Sequence, residues 1–360
     1  MKHSLARARV EIDLGALQRN GAAVARRAGV PLLPMIKADA YGLGVVGALR
    51  ALDVLQPWGY GVASVAEGEE LRALGVSRPI VVFTPLLEQE LGRARIARLA
   101  PTLGFPAEID AWRRAGGGSW HLSIDTGMGR AGIPWRDVSA IRQLVELVPP
   151  EGAFTHFHSA ELDDGTLERQ EQLFREALAS LPSRPKLLHT DNSAAIARKG
   201  RSDWDLVRPG IFLYGVGSGR AARMQPEPVV HLRAPIVEIR NLEVGDTVGY
   251  GATFRAERPA RIATLAVGYA DGYPRSLGER GSVLVGGTLA SVAGTVTMDM
   301  TMIDVTTVRC DVGDVATLIG RAGDTVLTVE RVADTAGLSP YELLTGLRSR
   351  VERTYVEARR

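Results

Sequence analysis

Between about residues 30 and 215 the hydrophobic positions fall in short clusters rather than in long stripes. The clusters are "LLPMIK" (32–37), "GYGVAS" (59–64), "PIVVF" (79–83), "PTLG" (101–104), "WHLSI" (120–124), "GAFTHF" (152–157), "KLLHT" (186–190) and "VRPGIFLYG" (207–215). Runs of this length, bounded by glycine and proline, predict buried strands. The intervals between them carry helix signals. Ser64 and Glu67, at the head of "SVAEGEELRALG", stand three apart, as a capping box requires. Strand and helix alternating eight times predict a (β/α)8 barrel. A doubly wound open sheet is the alternative, because counting runs does not prove closure.

The pattern changes near Pro226-Glu-Pro228. Residues 235–320 are rich in Val, Thr and Ile, with glycine turns and little helical periodicity. This predicts an antiparallel β domain. Two helices follow, the second opening at Ser339-Pro-Tyr-Glu342 with proline at the first helical position. The expected organisation is a barrel over 10–228 and a mainly β domain over 229–360, which the segment 1–9 joins.

Composition narrows the class of protein. With 360 residues, 45% hydrophobic and 23% charged, the chain reads as a soluble two-domain globular protein. A net charge of +2 gives no argument for nucleic acid or an anionic membrane as partner, and neither is expected. The late arginines (Arg348, Arg350, Arg353, Arg359, Arg360) read as a solvated helix face and tail. A single cysteine, Cys310, excludes an intrachain disulfide or a thiolate metal cluster. Glu11 and Asp13 interrupt the apolar part of the N-terminus, a poor signal peptide. No apolar run approaches the length of a membrane span, and the cytoplasm is the expected location.

In a barrel, function sits where strands end at their C-terminal side. Lys37 ends the first run, and "DTGMGR", closing on Arg130, follows the fifth. His156 and His158 end the sixth, "HTDNSAA" the seventh, and Arg208 lies in the eighth before Pro209-Gly210. One chemistry accounts for most of these. An aldehyde cofactor would form a Schiff base with Lys37. Its phosphate would meet N–H groups and hydroxyls at Asn192-Ser193 and the open backbone of Gly210. Its ring nitrogen would meet Arg208. That cofactor is pyridoxal phosphate (PLP).

On these stretches the chain resembles the alanine racemases. "IKADAYGLG", "SIDTGMGRAG", "THFHSAE", "HTDNSAA", "VRPGIFLYG", "VGYADGYPR", "TVTMDM" and "LSPYELLTGLRSRV" match that family's motifs in order, from about residue 9 to 356. The resemblance implies a PLP barrel followed by a β domain, in a cytoplasmic homodimer whose active sites are completed by the partner's β domain. It implies racemisation of L- and D-alanine, supplying D-alanine for peptidoglycan. Lys37 is then the Schiff-base lysine and one proton carrier. Tyr269, from the other subunit, is the base on the opposite face of Cα. His156 contacts that tyrosine, and Arg208 contacts His156. Arg208 itself, a guanidinium that keeps its proton below pH ~12, leaves the cofactor ring nitrogen neutral. This favours reprotonation at Cα over transamination. Arg130 faces the substrate carboxylate or the cofactor's phenolic oxygen, together with the N–H of Met298 from the other subunit. Tyr41, Asn192, Ser193, Gly210, Ile211 and Tyr341 hold the cofactor's phosphate end. No metal is implied.

The chain departs from the family at three positions. Ser123 stands where many members have a lysine, often carbamylated, that orients the arginine. Thr295 and Thr297 replace a common Arg and a common Cys or Ser, the first beside the substrate corridor. Three other functions compete. One is a racemase of broader range, acting for example on serine. Another is a metal hydrolase on His156, His158 and His189, which would leave Lys37, Tyr269 and Arg208 unused. The last is a PLP carrier without turnover, which would have no use for the β domain.

Overall fold

The structure, a computed structural model, describes residues 6–357. Six of the eight runs form regular parallel strands, in the order Tyr60–Val62, Ile80–Val82, Ala100–Leu103, His121–Asp125, Gly152–Phe154 and Leu187–His189. Buried side chains on both faces, as in "IVV" of Ile80–Val82, fit a sheet covered on both sides. The first and eighth runs depart from the expectation of regular strands. They contribute isolated bridges, Leu32 to Val207, Met35 to Gly61 and Asn192 to Arg208. Pro31, Pro34 and Pro209 interrupt them, and a proline has no N–H to give to a ladder. The ring nevertheless closes. Leu33 N donates to Val207 O and Met35 N to Pro209 O, both at 2.8 Å, while Ile36 N donates to Gly61 O at 2.9 Å. This is the (β/α)8 barrel, not the open sheet.

The helix after the second strand, Val65–Ala73, starts at the capping box read from sequence: Ser64 Oγ accepts from Glu67 N at 3.2 Å. The late helix Pro340–Thr345 starts at the second box, with Ser339 Oγ accepting from Glu342 N at 3.2 Å.

The 13-residue strand Val230–Leu242 organises the β domain. It pairs antiparallel with Val315–Ala322, Ala260–Leu265 and Arg9–Asp13. Arg9–Asp13 in turn pairs parallel with Glu352–Val356. Residues 10–13, assigned to the barrel from sequence, therefore lie in the β sheet. Alternation had the information: Val10 and Ile12 are buried between the less buried Arg9, Glu11 and Asp13. Arg359, Arg360 and residues 1–5 lie outside the described residues. Among those described, no helix is long and apolar enough to cross a membrane.

Candidate active site

Lys37 stands where the first run leaves the barrel, and the chain does not continue there as an ordinary loop. Ala38, Asp39, Ala40 and Tyr41 all have positive φ, at 52, 51, 53 and 60°, a left-handed turn without glycine. Each such residue costs about 1–2 kcal/mol, so the turn needs anchors. Glu67, the capping-box residue, supplies one: its Oε1 accepts from Ala38 N at 2.8 Å, while Oε2 accepts from Ala63 N at 2.6 Å. Asp39 Oδ1 accepts from Val45 N at 2.7 Å. Arg353 Nη2 donates to Gly42 O at 3.0 Å. The turn aims Lys37 and Tyr41 at a cavity of about 610 Å³ on the barrel rim. Lys37, Tyr41, Arg130, His156, Asn192, Ser193, Arg208, Gly210, Ile211 and Tyr341 all line it. Ser123 does so as well.

Charge shapes this cavity. Burial and the nearby Arg130 lower the Lys37 pKa, against the opposing pull of Glu67. Arg208 is 3% exposed and donates to the carbonyls of His189, Thr155 and Thr190. Its Nη1 lies 2.9 Å from His189 Nδ1, and His189 Nε2 lies 2.7 Å from His121 Nδ1. A guanidinium only donates, so His189 Nδ1 must accept. The His189 proton therefore sits on Nε2 and is given to His121, whose own proton sits on Nε2. The same logic applies to His156, whose Nδ1 is 3.4 Å from Arg208 Nη2. Its proton sits on Nε2. Burial, reinforced by Arg208, pushes the His121 and His156 pKa values down to about 3 and that of His189 well below normal. All three are neutral. Burial pushes Arg208 down to about 9, so it stays cationic near neutral pH. It also faces the rings of Phe83 and Phe154, 5.7 and 5.2 Å from the centroids.

The residues expected at a phosphate converge. Ser193 Oγ accepts from Gly210 N at 2.8 Å and Phe212 N at 3.3 Å. Asn192 Oδ1 caps the helix Ser193–Lys199 by accepting from Ala194 N and Ala195 N. The hydroxyl of Tyr41 lies directly over Gly210, so any Cβ there would collide with it. The backbone recess at Gly210, with Lys37, Arg130 and Arg208 on the same cavity, suits a dianionic cofactor bearing an aldehyde. The residues present fit PLP.

Tyr269 and Met298 are not in this cavity. They are 39% and 53% exposed on the β domain, and they sit together. Tyr269 N donates to Thr297 O and Ala270 N to Met298 O, both at 3.0 Å. A Cβ on Gly268 would run into the carbonyls of Thr297 and Met298. Only glycine allows that approach. The metal alternative finds no ligand set: among the described residues no three His, Cys, Asp or Glu are grouped to hold an ion. Sequence reasoning passed over Glu67 as a site residue, His189 as the partner of Arg208, and His121 behind it. It had located the first as a cap and the second at a strand end. The tether of Glu67 to Ala38 crosses 29 residues and carries no local signal.

A closed barrel presenting a lysine and two arginines around one rim cavity, followed by a β domain, has the architecture of the PLP-dependent amino-acid racemases. The family models "Alanine racemase, N-terminal domain" and "Alanine racemase, C-terminal domain" match residues 12–218 and 229–355. The alanine racemase of Deinococcus radiodurans is 39% identical, covering 97% of this chain and 99% of its own. The crystal structure of alanine racemase from E. faecalis superposes with a TM-score of 0.91 at 30% identity, covering 97% of this chain and 98% of its own. That of alanine racemase from Bartonella henselae, with covalently bound pyridoxal phosphate, gives 0.90 at 27% identity, covering 98% and 100%. The chain belongs to the alanine racemase family.

Proposed function

We propose that the protein interconverts L- and D-alanine with PLP in the Lys37 cavity, and that its D-alanine serves peptidoglycan synthesis. One observation carries this reading: Lys37, Arg130, His156 and Arg208 line a single cavity together with the Gly210 recess. Tyr41, Asn192, Ser193, Gly210, Ile211 and Tyr341 would hold the phosphate end, Lys37 the aldehyde carbon and Arg208 the ring nitrogen. Bound there, the cofactor supplies an electron sink that acidifies the Cα proton.

The chain's own residues do the rest. Lys37 Nζ, with its proton affinity lowered by burial and Arg130, takes or gives the proton on one face of Cα. Arg208 can only donate, so it leaves the ring nitrogen unprotonated and limits side reactions. Arg130 and the partner subunit's Met298 N–H orient the carboxylate. The partner subunit's Tyr269 holds the proton on the opposite face. His156, with its hydrogen on Nε2, faces that phenol as a donor and favours its ionised form. Tyr269 and Met298 lie outside the cavity of their own protomer, as a shared-site homodimer requires. We take the barrel to end at 228 and the enzyme to act in the cytoplasm.

Incubation with PLP and L-alanine in heavy water tests the reading. Chiral chromatography with mass detection should find D-alanine labelled at Cα. The absence of both D-alanine and Cα exchange would refute it. The same assay with L-serine measures the breadth of the substrate range.

A further inference from the structure

Asp271 is 2% exposed, two residues beyond Tyr269, and its carboxylate has more partners than a turn residue needs. Oδ2 accepts from Gly268 N at 2.8 Å and closes the turn. Arg350 Nε donates to Oδ1 at 2.6 Å and Arg350 Nη2 to Oδ2 at 3.1 Å. Arg7 Nη2 lies 3.5 Å away. Arg350 Nη2 also donates to Asp299 Oδ1 at 2.7 Å, and Asp299 adjoins Met298. One guanidinium therefore joins the turn that carries Tyr269 to the loop that carries Met298. From the same segment, Arg348 N donates to the Asp271 carbonyl at 3.1 Å. Only a planar fork can hold two carboxylates on two loops in this way.

We propose that Arg350 is a positioning residue for catalysis. By bridging Asp271 and Asp299 it holds Tyr269 and Met298 in register before they enter the partner's cavity. The proposal rests on the two-sided proton transfer set out above. Arg350 touches no reacting atom. Its effect is on the proton transfer at Tyr269 and not on that at Lys37. A misplacement of the order of 1 Å costs roughly 10²-fold in rate.

That asymmetry is measurable. Arg350→Met should lower kcat by about 10-fold to 100-fold without loss of dimer. With Tyr269 slowed, abstraction becomes more rate-limiting for the enantiomer whose Cα proton Tyr269 takes, so the α-deuterium isotope effect rises with that enantiomer. With the opposite enantiomer the Lys37 step becomes a fast pre-equilibrium, and the isotope effect falls. Asp299→Ala cuts only the exposed arm of the bridge and leaves buried Asp271 paired. It should shift both isotope effects in the same senses by a smaller amount, and it serves if Arg350→Met does not fold. Isotope effects that move together, or that stay at wild-type values in both variants, overturn the proposal. Tyr269→Phe is the control for the underlying reading. Full activity in that variant would sink the role of Tyr269 itself. A silent Tyr269→Phe beside unchanged isotope effects in the bridge variants would sink Arg350 alone.

Discussion

The turn bearing Lys37 and the turn bearing Tyr269 are held by opposite means. Lys37 is followed by four left-handed residues, an unfavourable conformation that side-chain tethers from distant segments hold down. The Tyr269 turn is a short 3-10 turn, Tyr269–Asp271, clasped by backbone hydrogen bonds to 297–298 and by a buried carboxylate. The first delivers its side chain inward, where the barrel's burial tunes it. The second leaves its side chain exposed on a rigid base. On the proposed reading Tyr269 acts in another subunit, where its own cavity cannot position it. It must be oriented beforehand by its neighbours. Both turns also abut one stretch of chain: Arg353 reaches Gly42 O, and Arg348 and Arg350 reach Asp271. Neighbouring residues of the C-terminal segment thus brace both turns of a protomer, which on the proposed reading serve its own site and its partner's.

Mixing inactive variants breaks this comparison most directly. Lys37→Ala and Tyr269→Phe should each lose racemase activity by roughly 10³-fold or more. Co-refolded in equal amounts, they form hybrid dimers in which one site carries both intact residues. About a quarter of wild-type activity should return. If the mixture stays silent while hybrids form, the two turns serve the same protomer, and the contrast between inward and outward delivery falls.

Acid sharpens the contrast, because the histidines whose pKa values burial depresses most, His121, His156 and His189, sit on the barrel side, while that of His231 in the β domain is lowered as well. His121 and His156 have pKa values near 3 in the folded protein against ~6.5 when unfolded. Between those pH values the unfolded chain binds the extra protons. The stability from keeping these rings neutral is complete above pH ~6.5 and is lost as pH falls towards 3. Each ring contributes about 1.4 kcal/mol per pH unit well below its unfolded pKa. The urea midpoint should therefore drop clearly from pH 7 to pH 5. A flat midpoint over that range would show that the Arg208–His189–His121 chain accepts protons without loss.

Much of the fold and site was legible in the sequence because the signals were local. Eight apolar runs marked the barrel, and the Ser64 and Ser339 boxes marked helix starts to the residue. The rim residues could be read from the segment just beyond each run. Three things could not. The left-handed form of Ala38–Tyr41 depends on Glu67 and Arg353, and the latter is 311 residues from Gly42 in sequence. The place of Arg9–Asp13 in the β sheet depends on Glu352–Val356 at the other end of the chain. Arg350 and Arg353, read as solvated charge, turn out to be braces. Their carboxylate and carbonyl partners are visible only once the chain is folded.

The smallest expected effect concerns the departure at Ser123. Arg130 has no ion pair or hydrogen bond to another side chain among the described residues, unlike Arg208, whose two terminal nitrogens are engaged. Ser123 is 8% exposed and lines the same cavity. It is uncharged and too short to steer a guanidinium as a carbamylated lysine would. On the proposed reading the Arg130 fork keeps rotameric freedom that substrate binding must remove. Ser123→Lys in bicarbonate buffer, where the amine can be carbamylated, should lower KM for alanine a few-fold with little change in kcat. In buffer freed of carbon dioxide the same variant places a bare ammonium beside Arg130 and Lys37, and KM should rise instead. A substitution that leaves KM and kcat untouched in both buffers would mean that Arg130 is already held, and that the barrel positions its substrate arginine as firmly as the β domain positions Tyr269.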